Sequence, residues 1–250
     1  MSTARSPEIR EMRPTLDLWR AHLGEVPEWV WLRTELQVLI LAENDLTDLS
    51  PRISRLSRLT TLDLGHNRLT SLPPALGELT GLSDFLYLHD NALSRLPGEI
   101  GGLTRLRYLN IGENPLTALP ESIGRMAGLI ELRARHLRLT ALPSGIGGLR
   151  ALRELRLRGN RLAFLPGSLS GLRELRHLEL RENLFAEVPD IVAGLPRLRS
   201  LDLRANRIGR IPDWVAGMPA LEKLDLRWNP CEPAPSLLAA LDRRGCAVLL

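Results

Sequence analysis

The sequence predicts an α/β repeat solenoid, an arc of stacked similar units with a parallel β-sheet on its concave side. Leu accounts for 56 of the 250 residues, and one branched side chain used this often rarely fills an irregular core. Asn recurs at a nearly constant spacing, and the same pattern of leucines surrounds each Asn. Units of this kind stack because none can bury its apolar residues alone.

The repeat is marked by eight asparagines, separated by 23 or 24 residues except for one step of 46. They are Asn44, Asn67, Asn91, Asn114, Asn160, Asn183, Asn206 and Asn229. Leu137 occupies the position where the long step lacks its Asn. The frame reads Leu-x-x-Leu-x-Leu-x-x-Asn-x-Leu-x-x-Leu-Pro-x-x-Ile-Gly-x-Leu. Its Leu-x-Leu alternation predicts a short strand with one buried face, and its Pro segment an extended or short helical return.

This frame resembles the leucine-rich repeat family, in the 23-residue class that carries Leu-Pro-x-x-Ile-Gly-x-Leu on its outer side. Nine units run from Leu36 to about Arg243, and residues 16–30 match residues 201–215 closely enough to mark a tenth. Ala21 replaces the Asn of that first unit. The resemblance implies a rigid binding scaffold rather than an enzyme, although a fold alone says little about function.

The repeats divide the chain into four predicted segments. These are an N-terminal tail (1–12), a degenerate first repeat that caps the array (13–35), the leucine-rich repeats (36–234) and a C-terminal cap (235–250). Trp29 and Trp31 are expected to help cover the first end. A helix over residues 235–244, with Ser236 as N-cap and Gly245 as its stop, followed by an apolar strand, is expected to cover the other.

Two departures from the frame carry structural expectations. The segment from Leu82 to Leu86 has one residue too many, which predicts a bulge at the entry of a strand. Leu137 cannot make the hydrogen bonds of the asparagines, because its side chain has no polar atom.

Composition excludes several classes of protein. No apolar stretch is long enough to span a membrane, and residues 1–13 are too polar for a secretory signal. Two cysteines are too few for a disulfide scaffold. Cys231 and Cys246 are interpreted as buried thiols, with a disulfide between them left open. We therefore expect a cytoplasmic protein or, alternatively, one delivered into a host cell.

Catalytic and metal chemistry is not predicted. All five histidines are expected at exposed positions, and nothing brings three or four ligands together. No serine or cysteine stands in a nucleophile motif, and the Ile-Gly pairs belong to the repeat rather than to a phosphate-binding loop. We expect no enzyme activity, no cofactor and no metal.

The frame also predicts which residues line the concave face, in columns about 4.8 Å apart. The column after the second strand leucine ends in what we call the arginine column, about 19 Å long on that spacing. It consists of Arg135, Arg158, Arg181, Arg204 and Arg227. Arg133 and Arg156 lie beside it, in the column between the two leucines.

The arginines allow two interpretations. A guanidinium fork suits carboxylate and phosphate, so the columns favour an anion-recognising groove. Alternatively, the face is solvated and its own acids neutralise it. Those acids are Glu131, Glu154, Glu179, Asp202 and Asp225.

The N-terminal half of the same face is apolar. Outward columns there carry Trp19, Ile40, Phe85, Tyr87 and Tyr108. Because aromatic residues make up only 4% of the chain, this grouping predicts a contact patch. The alternative places Trp19 in the cap and Phe85 against the bulge.

The predicted function is non-catalytic binding of an unknown protein partner on the concave face, with an acidic or phosphorylated segment meeting the arginines. One alternative is the recognition domain of a bacterial effector that acts in host cells, although the repeats leave no room here for a catalytic domain. Another is polyanion or nucleic-acid binding, which the interleaved acids disfavour. A monomer is favoured, although the exposed flank at Leu184 weakly suggests self-association.

Overall fold

The protein is described by a computed structural model that covers residues 13–250; the predicted tail, residues 1–12, lies outside the described residues. Eleven strands form one parallel sheet in sequence order. They are β1 (Thr15–Asp17), β2 (Val38–Ile40), β3 (Thr61–Asp63), β4 (Phe85–Tyr87), β5 (Tyr108–Asn110), β6 (Glu131–Arg133), β7 (Glu154–Arg156), β8 (His177–Glu179), β9 (Ser200–Asp202), β10 (Lys223–Asp225) and β11 (Ala247–Leu249). The predicted solenoid with a concave parallel sheet is therefore confirmed.

The return segments form short 3-10 helices on the side opposite the sheet. They are Glu28–Leu32, Pro51–Arg55, Pro74–Glu78, Gly98–Gly102, Glu121–Arg125, Ser144–Gly148, Gly167–Gly171, Asp190–Gly194 and Asp213–Gly217. A Pro or Ser precedes each of them, with ψ in the extended range. Pairs of helices approach so closely that a Cβ on Gly124 would lie 1.9 Å from the Gly145 carbonyl oxygen. The small residue of the Ile-Gly pair is needed for this contact.

The core is a continuous column of leucines between the sheet and the 3-10 helices. The middle leucine of each strand from β2 to β10 is buried and aligns with that of the next strand. Leu16 of β1 is only half-buried, because it belongs to the terminal unit. The strand leucine of an interior unit is therefore fully buried because a neighbouring unit covers it on each side.

The asparagines link adjacent units through hydrogen bonds to the backbone. Asn183 Oδ1 accepts from Leu162 N–H at 3.0 Å, and its Nδ2 donates to Leu157 O and Leu180 O, both at 3.0 Å. Leu137 is buried in the equivalent place. Leu116 stands in its unit where Leu162 stands in the unit before Asn183. The Leu137 side chain offers no acceptor to the Leu116 N–H.

The residue before each asparagine position has a left-handed backbone in all nine interior units. The φ angle there is 57° at Glu43, 50° at His136, 51° at Ala205 and 63° at Trp228, and Gly159 is the single glycine of this set. The turn after the strand therefore imposes a conformation that favours glycine, whatever side chain the sequence supplies.

The extra residue before β4 forms the predicted bulge. Three successive amides, those of Ser83, Asp84 and Phe85, point to Thr60 O at 2.8–3.3 Å, where most other units direct two amides to one carbonyl. Arg13 forms an ion pair with Asp84 beside it. The bulge leaves Phe85 43% exposed on the sheet face rather than tucked into the core.

The ends differ in detail from the predictions. Trp31 is buried but Trp29 is 47% exposed, so only one of the two tryptophans covers the N-terminal end. The C-terminal helix α1 (Pro235–Asp242) has Ala234 as its N-cap. The prediction of Ser236 was wrong, because Pro235 already has the φ angle of a first helical residue. Gly245, with φ 74°, ends this region as predicted.

The burial of one cysteine and one histidine also differs from the predictions. Both cysteines are free, and Cys231 is half-buried rather than buried. Burial raises the pKa of both thiols. His89 is half-buried rather than exposed, because Gly65 leaves room for its ring. The boundaries of the four predicted segments stay a prediction.

Candidate functional site

The sheet holds the predicted columns in register. Arg133 pairs with Arg156 across β6 and β7, and Tyr108 pairs with Phe85 across β4 and β5. The arginine column lies just beyond the strands, where His136 N–H donates to Arg158 O at 2.8 Å and Gly159 N–H to Arg181 O at 3.0 Å. Backbone hydrogen bonds therefore fix the spacing of the arginines.

Carboxylates accompany every predicted arginine. Arg135 donates from Nε and Nη2 to Glu179 at 2.9 and 2.7 Å, and Arg158 donates to Glu182 at 3.0 and 3.1 Å. The remaining pairs are Arg133–Glu131, Arg156–Glu131, Arg156–Glu154, Arg181–Glu182, Arg204–Asp202, Arg204–Asp225 and Arg227–Asp225. Seven guanidinium groups thus meet six carboxylates, and the face is a compensated network rather than a bare basic groove.

The pKa shifts follow from these pairs. Hydrogen bonds from Arg158 lower the pKa of Glu182. Burial by itself raises the pKa of Asp225, but hydrogen bonds from Arg227 outweigh burial, so that the pKa falls below its usual value. Burial also opposes charge on Arg133, yet the hydrogen bond to Glu131 raises the pKa of this arginine. Glu182, Asp225 and Arg133 therefore stay ionised around neutral pH.

Phe85, Tyr87, Tyr108 and His89 form what we call the aromatic cluster. The rings of Phe85 and Tyr87 stack with centroids 5.9 Å apart, and Tyr108 lies 5.5 Å and 5.1 Å from the two. The Arg133 guanidinium lies 5.2 Å from the Tyr108 ring centroid. The cluster thus adjoins the arginine network, and burial raises the pKa of Tyr108 to about 12.

A shallow cavity of about 470 Å³ opens beside the aromatic cluster. Phe85 and Tyr108 line it together with Arg13, Arg107 and Glu131. Aromatic faces next to a few polar groups are common in binding sites. The feature therefore extends the predicted contact patch beyond the sheet face.

Two residues of the predicted apolar patch lie apart from the aromatic cluster. Trp19 is 52% exposed and donates from Nε1 to Glu43 Oε1 at 3.1 Å, and the Arg20 guanidinium lies 4.4 Å from its ring. Ile40 is half-buried on β2, two strands away from Phe85. The patch is therefore divided, and its aromatic part is concentrated on β4 and β5.

Trp228, which the predicted columns did not include, is 64% exposed at the end of the arginine column. Its ring lies 5.3 Å from the Arg181 guanidinium and 5.7 Å from that of Arg227. The signal was present, because Trp228 occupies the position before Asn that carries Glu, His, Asp, Gly or Ala in other interior units.

Residues 13–250 contain no group of three or more His, Cys, Asp or Glu that could hold a metal ion. Within the same range, no helix has the length and apolar character needed to cross a bilayer.

A preformed curved sheet with exposed side chains in fixed columns defines a repeat scaffold of the kind that binds ligands along its inner face. Leucine-rich repeat family models match residues 34–82, 105–126, 151–172 and 188–230. The chain belongs to the leucine-rich repeat family. Domains of this family typically serve as non-catalytic binding scaffolds.

Solved structures of leucine-rich repeat proteins are similar throughout the array. A leucine-rich repeat protein of Leptospira interrogans is 29% identical, with a TM-score of 0.71 over 90% of this chain and 69% of that one. The ectodomain of the Arabidopsis thaliana receptor kinase GASSHO1/SCHENGEN3, in complex with CASPARIAN STRIP INTEGRITY FACTOR 2, is 28% identical (TM-score 0.78, 94% of this chain). The plant peptide hormone receptor RGFR1, in complex with RGF2, is 26% identical (TM-score 0.71, 94%). This chain spans 29% and 47% of these two receptors.

Proposed function

We propose that the concave face binds an extended segment of a partner protein. The observation that carries the proposal is the contact between the aromatic cluster and Arg133, on a sheet that the fold holds rigid. Aromatic and arginine side chains are the residues that most often dominate binding energy at interfaces. A partner would place an apolar part on the cluster and an acidic or phosphorylated part on the arginines.

The carboxylate partners of the arginines determine which kind of ligand this face favours. An arginine that already donates to a carboxylate gains less from a second anion than a free one does. The network therefore favours a partner that carries both apolar and anionic groups over a uniform polyanion. It also keeps the guanidinium groups in fixed orientations, which reduces the entropy lost on binding.

Similar structures and the cysteines add support. Two of the similar structures contain a second named component, CASPARIAN STRIP INTEGRITY FACTOR 2 in one and RGF2 in the other. A cytoplasmic location is part of the proposal, and the free thiols of the two cysteines are compatible with it.

The test is capture of partners from a lysate of the source organism, followed by binding measurements with the purified candidate. The wild type is compared with Arg135→Glu/Arg158→Glu/Arg181→Glu and with Phe85→Ala/Tyr108→Ala. A matched control, Arg105→Glu/Arg150→Glu/Arg173→Glu, makes the same charge change at exposed positions outside the sheet face. Circular dichroism establishes that each variant folds.

We expect the purified partner to bind the wild type and the control equally, and each concave-face variant at least tenfold more weakly. Equal binding to all four proteins would refute a role for this face. Loss in both triple-arginine variants, with retention by Phe85→Ala/Tyr108→Ala, would instead indicate general attraction of a polyanion.

A further inference from the structure

Arg181 differs from the other members of the arginine column. In Arg135, Arg158, Arg204 and Arg227, Nε and Nη2 both donate to a carboxylate. Arg181 Nε lies 3.0 Å from Glu182 Oε1, but the contact is misaligned, and this buried N–H has no hydrogen-bond acceptor among the described residues. Glu182 directs its two oxygens to Arg158 instead.

The Arg181 guanidinium is nevertheless held in place. Its side chain is 23% exposed, and the Trp228 ring lies 5.3 Å away. A guanidinium that packs against an aromatic ring can still donate hydrogen bonds from its N–H groups, because attraction to the π face of the ring does not require an acceptor. Arg181 is therefore held in place while its Nη groups, unlike the Nη2 groups of the other column members, donate to no carboxylate, and its Nε–H is buried without an acceptor.

Trp228 supplies the second half of the feature. It is 64% exposed although its backbone has φ 63°, a conformation that a bulky side chain seldom adopts. All nine interior units share this conformation, so that the distinguishing feature of Trp228 is its large exposed ring. The exposed part of the indole thus lies next to an arginine whose Nη groups donate to no carboxylate.

We propose that Arg181 and Trp228 form an anion subsite for a phosphate or carboxylate group attached to a flat apolar group. The anion would accept from the Nη groups of Arg181, and the flat group would lie against the exposed part of the Trp228 indole. The proposal rests on the proposed function, since it places the anionic part of the peptide partner at this end of the concave face. Arg204 and Arg227 would add positive potential without forming the primary contact.

Phenyl phosphate is a suitable probe, because it joins a phosphomonoester to a flat ring. Inorganic phosphate lacks the ring and phenol lacks the anion. Binding is followed in the indole N–H signals of the ¹⁵N-labelled protein, and the Trp228 signal is assigned as the one missing from Trp228→Phe. Benzoate replaces the phosphate by a carboxylate, and the tighter of the two anions identifies the anionic group of the partner.

We expect phenyl phosphate to shift the Trp228 signal with a Kd at least tenfold below that of inorganic phosphate, and phenol to cause no shift. Arg181→Gln should abolish phenyl phosphate binding, whereas Trp228→Ala should weaken it to the level of inorganic phosphate. In Trp228→Ala, binding is read from the Arg181 Nε–H signal. The matched control is Arg173→Gln, which removes an exposed arginine outside the sheet face and should change the Kd by less than twofold.

An equal loss in Arg173→Gln and Arg181→Gln would overturn the proposal in favour of diffuse attraction by the positive charge of the protein. So would equal affinities for phenyl phosphate and inorganic phosphate. Trp228 is exposed, so that Trp228→Ala tests the subsite without disturbing the core. If a partner requires the concave face but phenyl phosphate does not bind, the subsite is refuted and the proposed function stands. If phenyl phosphate binds but no partner requires the concave face, the proposed function is refuted and the subsite stands.

Discussion

Leu137→Asn is expected to stabilise the protein, because it would complete the row of asparagines between adjacent units. The new side chain would offer an acceptor to Leu116 N–H and two donors to neighbouring carbonyls, as Asn183 does in its own unit. Three hydrogen bonds are worth about 3 kcal/mol at about 1 kcal/mol each. Loss of the buried Leu side chain costs about 2 kcal/mol. The net gain is about 1 kcal/mol on these magnitudes.

The reverse substitution, Asn183→Leu, is the matched control. It removes the acceptor from Leu162 N–H, and a buried donor without a partner costs about 1–3 kcal/mol. We expect a net loss of about 1 kcal/mol, because the added apolar burial, worth about 2 kcal/mol, offsets part of the three lost hydrogen bonds, worth about 3 kcal/mol.

Urea denaturation followed by circular dichroism measures both changes, and thermal unfolding gives a second estimate. A gain of 1 kcal/mol corresponds to an increase in Tm of about 2–4 °C for a domain of this size. A destabilised Leu137→Asn beside a destabilised Asn183→Leu would show that packing of Leu137 outweighs the missing hydrogen bonds. If neither variant changed stability, the asparagine bonds would not stabilise the stack at all.

Three further predictions follow from single residues. Ala205→Gly should stabilise by about 1 kcal/mol, because Ala205 has φ 51°, and Ala163→Gly, at an ordinary backbone angle, should not stabilise when the two are compared in urea. Asp225→Asn should destabilise by about 2 kcal/mol, since it removes charged hydrogen bonds from Arg227, and an unchanged urea midpoint would contradict this. Burial lowers the pKa of His89, and the nearby charge of His66 lowers it further, so folding favours the neutral form of this histidine. The stability that the neutral form contributes is fully present above the unfolded-state pKa and is lost as the pH falls through the folded-state pKa. Stability should therefore decline from about pH 7 towards pH 5, by at most about 1.4 kcal/mol per pH unit from this group, and His89→Phe should flatten the profile measured in urea at each pH.

The sequence by itself determined the architecture of this protein. The spacing of Leu and Asn fixes which side chains are buried, because a strand of period two and a short return leave few other ways to cover the leucines. The same spacing fixes the columns of the concave face, so that the neighbours of Arg133 and Tyr108 were predicted correctly. The bulge before β4 followed from a single extra residue.

The tertiary structure alone decided which charges meet. Arg135 reaches Glu179 two strands away, and Arg158 reaches Glu182 rather than an acid of its own strand. Long flexible side chains choose among several partners at similar distances, and a repeat frame gives positions of Cα atoms rather than directions of guanidinium groups. The unused hydrogen-bonding capacity of Arg181 and the exposed ring of Trp228 depend on those choices, which is why only the folded arrangement reveals them.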